Sequence, residues 1–349
     1  MSADAAGVAT AYDVAPARRQ GLRIALAVAA SFTVAVAQGE VIPFLGAVFA
    51  TQFLMSSRRP MGVAQAIGFV AILVLAGQGF MILTGLLGQR PIPFLLVLGL
   101  IYFACFLVQL QGRGGPVPAL ILTIGVAAPL LGVLDQDLGE SIVAILGKAA
   151  ANGVLFAWLA HAAFPDPGGG DAGPSLPAAV HPEAVRIAFA NTVILLVVFT
   201  FCLVNNNLST AAVLPLTVVS LLGQIDLAIS LRAAFGLVIV NLFGGIVASI
   251  AFTIVGLRPE LPWLFLILLA VGLLLGGRAA ADATTGKIYG GVLVIFLILF
   301  GLGISPLPGS SAEAFSTRIG YVLVATLYTL VMVGLIWPYR SFPSNNPRS

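Results

Sequence analysis

The chain has 349 residues, of which 60% are hydrophobic and 8% charged, and its formal net charge is +3. Soluble domains carry roughly 25% charged residues, so the composition excludes an ordinary soluble enzyme. A net charge this small and dispersed also gives no basis for nucleic-acid binding. The mean hydropathy of +1.09 predicts an all-α polytopic membrane protein, since continuous apolar runs of about 20 residues are what a helix needs to cross a bilayer.

Apolar runs between charged or Pro/Gly-rich breaks predict about twelve transmembrane helices. The first six lie at 22–39, 41–57, 61–88, 92–110, 116–134 and 141–164. The second six lie at 184–204, 208–224, 230–256, 262–277, 286–304 and 315–337. The second and eighth runs are short, as in broken or partly inserted helices, which leaves ten spans as the alternative.

One Pro/Gly-rich linker, 165–182, divides these runs into two sets of six. The predicted organisation is a tail at 1–21, a first six-helix unit at 22–164, the linker, a second unit at 183–338, and a tail at 339–349.

The two units share residues at matching positions, which indicates an internal repeat. The matched pairs are Arg23-Ile24-Ala25 with Arg186-Ile187-Ala188, Arg59 with Arg232, Arg113 with Lys287, and Phe164-Pro165 with Trp337-Pro338. Because each unit has an even number of predicted spans, the repeats are expected to be parallel, related by an axis along the membrane normal.

The distribution of basic residues predicts the orientation. Twelve of the 16 Lys and Arg residues fall on the side of the N-terminus and three on the other side, which places both termini in the cytoplasm by the positive-inside rule. The first helix, which ends in Ala35-Val36-Ala37, is also similar to a cleavable signal peptide. The retained counterpart in the second unit favours a transmembrane helix.

Three junctions carry a family resemblance: Arg23-Ile24-Ala25, Arg58-Arg59-Pro60-Met61-Gly62 and Phe164-Pro165. With their second-unit counterparts, they resemble the fusaric acid resistance and aromatic acid exporter superfamily over about 23–338. The resemblance implies a bacterial inner-membrane efflux component for small organic, often aromatic, anions, acting with a periplasmic adaptor and an outer-membrane channel. It also makes a homo-oligomer plausible. Family members usually carry a sizeable cytosolic domain, for which this chain offers only the linker and a short tail.

Two Gly-rich basic segments, 109–118 and 276–291, are the strongest candidates for anion attraction. Glycines allow close backbone approach, and the following helix N-termini favour anions. The candidate substrate or pathway residues are Arg113, Arg278, Lys287, Lys148, Arg59 and Arg232. The alternative is that the basic loops only set the orientation and that Lys148 snorkels to the outer surface.

Asp282 and Asp226 lie near cytoplasmic helix ends, where a carboxylate could take up a proton in a proton-coupled exporter. Local pairing with Arg278 or Arg232 is the alternative for each. Glu40, in the turn after the first helix, is expected to be exposed on the surface, and His161 is expected to be a packed or interfacial side chain.

No arrangement typical of an enzyme, a metal site or a cofactor site is present in the sequence. The two histidines, His161 and His181, have no Cys or carboxylate at ligand spacing. The sequence therefore predicts a proton-coupled organic-anion exporter. The alternatives are a passive organic-anion channel or a non-transporting scaffold of an envelope complex.

Overall fold

A computed structural model describes residues 3–113, 117–134, 136–165, 183–204, 213–225, 231–281, 286–305 and 312–336. Every regular element in these ranges is a helix. The N-terminal half contains α1 (Ala3–Ala37), α2 (Phe44–Ser56), α3 (Val63–Leu87), α4 (Pro91–Leu110), α5 (Val117–Leu134) and α6 (Gln136–Ala163).

The C-terminal half contains α7 (Ala184–Val204), α8 (Val213–Ile225), α9 (Leu231–Leu257), α10 (Leu261–Val271), α11 (Gly277–Ala281), α12 (Gly286–Ile304) and α13 (Ala312–Ile336). A π-helical turn, Gly272–Gly276, joins α10 to α11 without a break. The helices lie at the apolar runs from which they are predicted. One clear difference is that α1 extends back to Ala3 through Pro16, into a segment predicted as a tail; its many alanines favour helix.

Seven helices are long and apolar enough to cross a membrane in the described part of the chain. They are Pro16–Ala37, Val63–Leu87, Pro91–Leu110, Ser141–Ala163, Ala184–Val204, Val240–Leu257 and Leu261–Ala281. Large apolar side chains on their outer faces are exposed, Leu75 and Leu100 among them at 70% and 69%. An apolar surface of this extent is favourable in contact with lipid and unfavourable in contact with water.

The short helix α2 lies in the interior of the bundle. It has 13 residues, about 20 Å of helix, against a hydrocarbon layer of about 30 Å. It packs between α1, α6 and α12, and nine of its residues are buried. Phe49 and Phe53 contact Phe69 of α3 edge to face, the Phe53 and Phe69 ring centres lying 4.8 Å apart. Helix α8 has the same length, 13 residues.

Helix α1 packs closely against the π turn and α11 through small residues. A Cβ added to Gly272 would lie 2.8 Å from Ala25 Cα, and one added to Gly21 would lie 2.8 Å from Gly277 Cα. Small residues allow two helix backbones to approach this closely, which gives extensive van der Waals contact. The first helix of the chain is thus held by the C-terminal half.

The main contacts between the halves occur in matching pairs. Helix α1 packs on α10 and α11, and α7 packs on α4; α2 packs on α12, and α8 packs on α5. Within the halves, α3 packs on α5 as α9 packs on α12, and α2 packs on α6 as α8 packs on α13. The two halves therefore contact each other through corresponding helices.

Candidate functional site

The arginines Arg23, Arg58, Arg59, Arg113, Arg186 and Arg278 mark one end of the helices, which we call the basic end. At its centre, Arg23 is 1% exposed. Its Nε and Nη2 donate hydrogen bonds of 2.8 and 2.6 Å to the carbonyl oxygen of Phe164, and Nη1 donates one of 3.3 Å to that of Arg58. The last carbonyls of a helix have no partner within it, so a guanidinium with its planar set of donors is well suited to bind them.

Further polar side chains complete this Arg23 network. Gln20 accepts a 3.1 Å hydrogen bond from Arg23 Nη1 and donates one to the carbonyl oxygen of Leu54. The ring nitrogens of His161 lie 2.8 Å from Ala157 O and 3.1 Å from Arg58 O. His161 is half-buried among backbone carbonyls, in agreement with its prediction as a packed side chain.

The network joins the three sequence junctions of the N-terminal half. Arg23 comes from α1, Arg58 follows α2, and Phe164 follows α6. Trp158 of α6 adds a 2.8 Å hydrogen bond to Met61 O, just before α3. From the sequence, Arg23 is predicted as a marker of the repeat and not as a site residue. Its position within an apolar helix is a signal of a structural site, because a buried basic residue must find partners.

An open groove of about 580 Å³ lies at the basic end between α4 and the start of α7, lined by Phe103, Glu183, Val185, Arg186 and Phe189. Arg186 is exposed, and it has no hydrogen bond or ion pair with the described residues. The groove combines a cationic group with two aromatic rings and one carboxylate. A flat organic anion could contact the rings while its negative group meets the guanidinium.

Arg23 and Arg186 occupy matching positions in the two halves but have different surroundings. The neighbours correspond, since Ile24 and Ile187 are 1% and 5% exposed. Arg23, in contrast, is enclosed by its hydrogen bonds to Phe164 after α6 and to Arg58 after α2, whereas Arg186 faces the groove between α4 and α7. The halves are therefore similar in helix packing and different in the access to this arginine.

Three of the predicted pathway residues are exposed at the basic end: Arg59, Arg113 and Arg278. Arg113 follows Gly112, whose φ of +67° turns the chain out of α4. The Arg278 guanidinium lies 5.9 Å from the centre of the Tyr289 ring, in a cation–π contact between α11 and α12. The groove at Arg186 contains none of the three.

The other predicted residues at this end are incompletely described. Lys287 lies in the first turn of α12 and Arg232 in the first turn of α9, but their side chains lie outside the described part. Asp282 and Asp226 lie outside the described residues altogether, as does Trp337.

Lys148, near the middle of α6, forms an ion pair with Glu40, which lies in the turn after α1. Its Nζ is 3.0 Å from Glu40 Oε1, and the two side chains are 60% and 9% exposed. Gly39, with a φ of +69°, turns the chain between α1 and α2 and so directs Glu40 toward α6. The expectation that Glu40 is simply exposed is wrong, because the salt bridge covers its carboxylate. The Lys148 side chain itself remains largely exposed.

The turn that carries Glu40 also contacts the C-terminal half. Ser305, just after α12, donates a 2.6 Å hydrogen bond to the carbonyl oxygen of Val41. The turn between α1 and α2 is thus bonded to both α6 and the end of α12.

Within the described ranges, no group of three or more His, Cys, Asp or Glu side chains could hold a metal ion. The fold and its apolar exterior define a polytopic helical membrane protein. Compared with protein-family models, curated proteins and solved structures, the chain has no match.

Proposed function

We propose that this chain is a bacterial inner-membrane transporter of small organic anions, built from two parallel six-helix repeats with both termini in the cytoplasm. The matching contacts between the halves support the repeat, because exchanging the halves converts the α1 contact with α10 into the α7 contact with α4. The two 13-residue helices, α2 and α8, also occupy the same place in each half. In this orientation the basic end faces the cytoplasm.

The groove at Arg186 is the observation that carries the transport proposal. It is open at the basic end, and Arg186 lines it together with Phe103 and Phe189. In a partly apolar setting a charge-assisted hydrogen bond between guanidinium and carboxylate is strong and oriented, while the rings favour a flat apolar body. The groove therefore suits the first binding of an aromatic or otherwise apolar carboxylate from the cytoplasm.

In the proposed route, Arg113, Arg278 and Lys287 raise the local concentration of anions at the basic end, and the substrate then moves along the contact between the repeats. Outward transport would be coupled to proton entry, with Asp226 and Asp282 as the coupling residues. Action together with a periplasmic adaptor and an outer-membrane channel is proposed from the family resemblance alone.

The test is flux of a simple aromatic carboxylate, benzoate, in liposomes containing the purified full-length chain. We expect Arg186→Gln to lower the initial rate about 10- to 100-fold, the equivalent of one lost charge-assisted hydrogen bond, and Arg186→Lys to retain part of it. Arg90→Gln, an exposed arginine at the opposite end, is the matched control and should transport normally. Equal rates for both Gln variants would contradict the role of the groove.

The same vesicles distinguish the three kinds of protein. A proton-coupled exporter loses concentrative flux when an uncoupler is added. A passive channel conducts regardless of the uncoupler, with a current that reverses at the anion's equilibrium potential. A scaffold gives no flux with any variant, which would overturn the transport proposal.

A further inference from the structure

The outward face of α3 differs from an ordinary lipid-facing surface. One side of the helix packs on α5 and α6, through residues such as Phe69, Leu73 and Phe80. The other side is exposed: Leu75, Ile82 and Leu86 are 70%, 63% and 72% accessible. Only 33% of the apolar window of this helix is buried. Most of α3 therefore faces outward.

A polar side chain, Gln78, lies in the middle of this exposed face. It is three residues from the centre of α3, or about 5 Å along the axis, and so it is well inside a hydrocarbon layer of about 30 Å. Its amide carries two N–H donors and a carbonyl acceptor, and it has no hydrogen bond to any residue that the structure describes. A polar group in hydrocarbon is costly in free energy unless it is hydrogen-bonded. In a single copy of the chain, this face therefore lacks a hydrogen-bond partner for the Gln78 amide.

The space around Gln78 permits a second helix to approach. Ala71 and Gly85 lie seven residues before and after it, and both are exposed. At Gly79 and Gly85 an added Cβ would meet no atom within 4 Å. Small residues beside a polar one are typical of contacts between transmembrane helices, where backbones come close and side-chain amides form hydrogen bonds.

The corresponding helix of the other half, α9, has no such exposed amide among the side chains that the structure describes, from 240 onward. Its partly or fully exposed hydroxyls bond to their own helix: Ser249 Oγ donates to Gly245 O and Thr253 Oγ1 donates to Ser249 O, each at 2.9 Å. Large outward side chains of α9 are apolar, such as Ile246 and Ile250 at 48% and 55%. A face of this kind can contact lipid, because its described hydroxyl groups already have hydrogen-bond partners. The unpaired amide of Gln78 thus distinguishes α3 from α9.

We propose that the outward face of α3 is the surface through which two copies of this chain associate in the membrane. With a two-fold axis along the membrane normal close to Gln78, each amide meets its own copy at the same depth. The side-chain N–H group of each Gln78 can donate to the side-chain carbonyl of the other, so that the two amides form two reciprocal hydrogen bonds. Leu75 and Ile82 pack beside the pair. The proposal is independent of transport, because no residue that lines the groove at Arg186 lies on α3.

The first test measures association of the fluorescently labelled full-length chain in liposomes, by energy transfer as the protein is diluted with lipid. Gln78→Leu should weaken dimerisation about 3- to 30-fold, the range for one or two interhelical hydrogen bonds. Gln65→Leu, an exposed glutamine near the end of the same helix, should dimerise like the unaltered chain. Gln78→Leu adds apolar surface toward lipid, so correct folding is expected and is checked by gel filtration.

The second test locates the contact by oxidative cross-linking of single cysteines. Leu75→Cys and Ile82→Cys should give disulfide-linked dimers, whereas Leu100→Cys on α4 and Ile250→Cys on α9 should not. The natural Cys105 and Cys202 are buried and serve as the background. A chain that stays monomeric at high density, equal dimerisation of the Gln78 and Gln65 variants, or cross-links only at 100 or 250 would each overturn the proposal.

Discussion

The guanidinium of Arg23 donates two hydrogen bonds to one acceptor, the carbonyl oxygen of Phe164, which lies 141 positions further along the chain. The pair joins the apolar part of α1, Pro16–Ala37, to the residue that follows α6. The Arg58 carbonyl, bonded to the same guanidinium, adds the junction between α2 and α3. One side chain therefore links the basic ends of three helices that are distant in sequence.

Replacing Arg23 is expected to destabilise the protein strongly. Arg23→Met would leave the Phe164 and Arg58 carbonyls without this donor, and hydrogen bonds from a charged group contribute about 1.5–3 kcal/mol each. We expect a loss of roughly 2–4 kcal/mol in the free energy of unfolding, measured by denaturant titration in detergent. The matched control is Arg186→Met, where the exposed side chain should change stability by less than about 0.5 kcal/mol. Similar losses in both variants would refute the distinction.

The close contact between α1 and the π turn predicts a steric effect. Gly272→Val would place its branched side chain against Ala25, whose Cα is 2.8 Å from the added Cβ. Overpacking of this kind costs about 1–3 kcal/mol. Gly256→Val tests the same change on α9, where a Cβ has no atom within 4 Å. Thermal denaturation followed by tryptophan fluorescence should show a lower midpoint for the Gly272 variant alone; a normal midpoint there would mean that α1 can move away from α10.

The ion pair between Lys148 and Glu40 is expected to contribute little. The Lys148 side chain is 60% exposed, and solvent reduces such pairs to about 0.2–1 kcal/mol. A double-mutant cycle with Lys148→Met and Glu40→Gln should give a coupling energy in this range. If Lys148 instead lines an anion pathway, Lys148→Met will lower benzoate flux and the added Glu40→Gln will not restore it. Unchanged flux in both would assign the pair to structure.

The charges of the basic loops are expected to affect the KM for an anionic substrate. Neutralising Arg113, Arg278 and Lys287 together should raise the KM for an anionic substrate while leaving assembly intact, because surface charges concentrate ions without fixing them in place. The increase should shrink as salt is raised from 0.01 to about 0.15 M, where the screening length falls to about 8 Å. A lower kcat with an unchanged KM would show that these residues act in the transport step itself.

Apolar runs predict membrane-embedded helices because a segment in lipid must satisfy its backbone internally, and seven of the described helices are long and apolar enough to cross a membrane. The short second run is a helix of 13 residues, and the described part of the eighth run, Val213–Ile225, is also helical. The contact of Arg23 with Phe164 could not be predicted, since spacing along the chain does not show which helix ends meet. The same holds for Glu40, whose partner lies on α6.

The exposure of Arg186 at the groove could not be predicted from its match with Arg23. Arg23 and Arg186 sit in the same local motif, followed in each case by Ile and Ala, and the motif predicts the same place at the start of a helix. Their exposure depends on the surroundings: Arg23 is bonded to the chain segments that follow α2 and α6, while Arg186 borders a groove with Phe103 and Phe189. The local sequence pattern therefore predicts where the helix lies, and the neighbouring segments determine whether the arginine is accessible.

The close contact of Ala25 with Gly272 has a consequence for how the protein is made. Helix α1 leaves the ribosome before α10, and the surface that contains Ala25 receives its partner only after α10 has been synthesised and inserted. Until then, the buried face of α1 must be covered by lipid or by the insertion machinery. We expect nascent chains arrested before Leu261 to hold α1 loosely, with a cysteine at position 25 open to a membrane-permeant thiol reagent, and chains arrested after α12 to protect it.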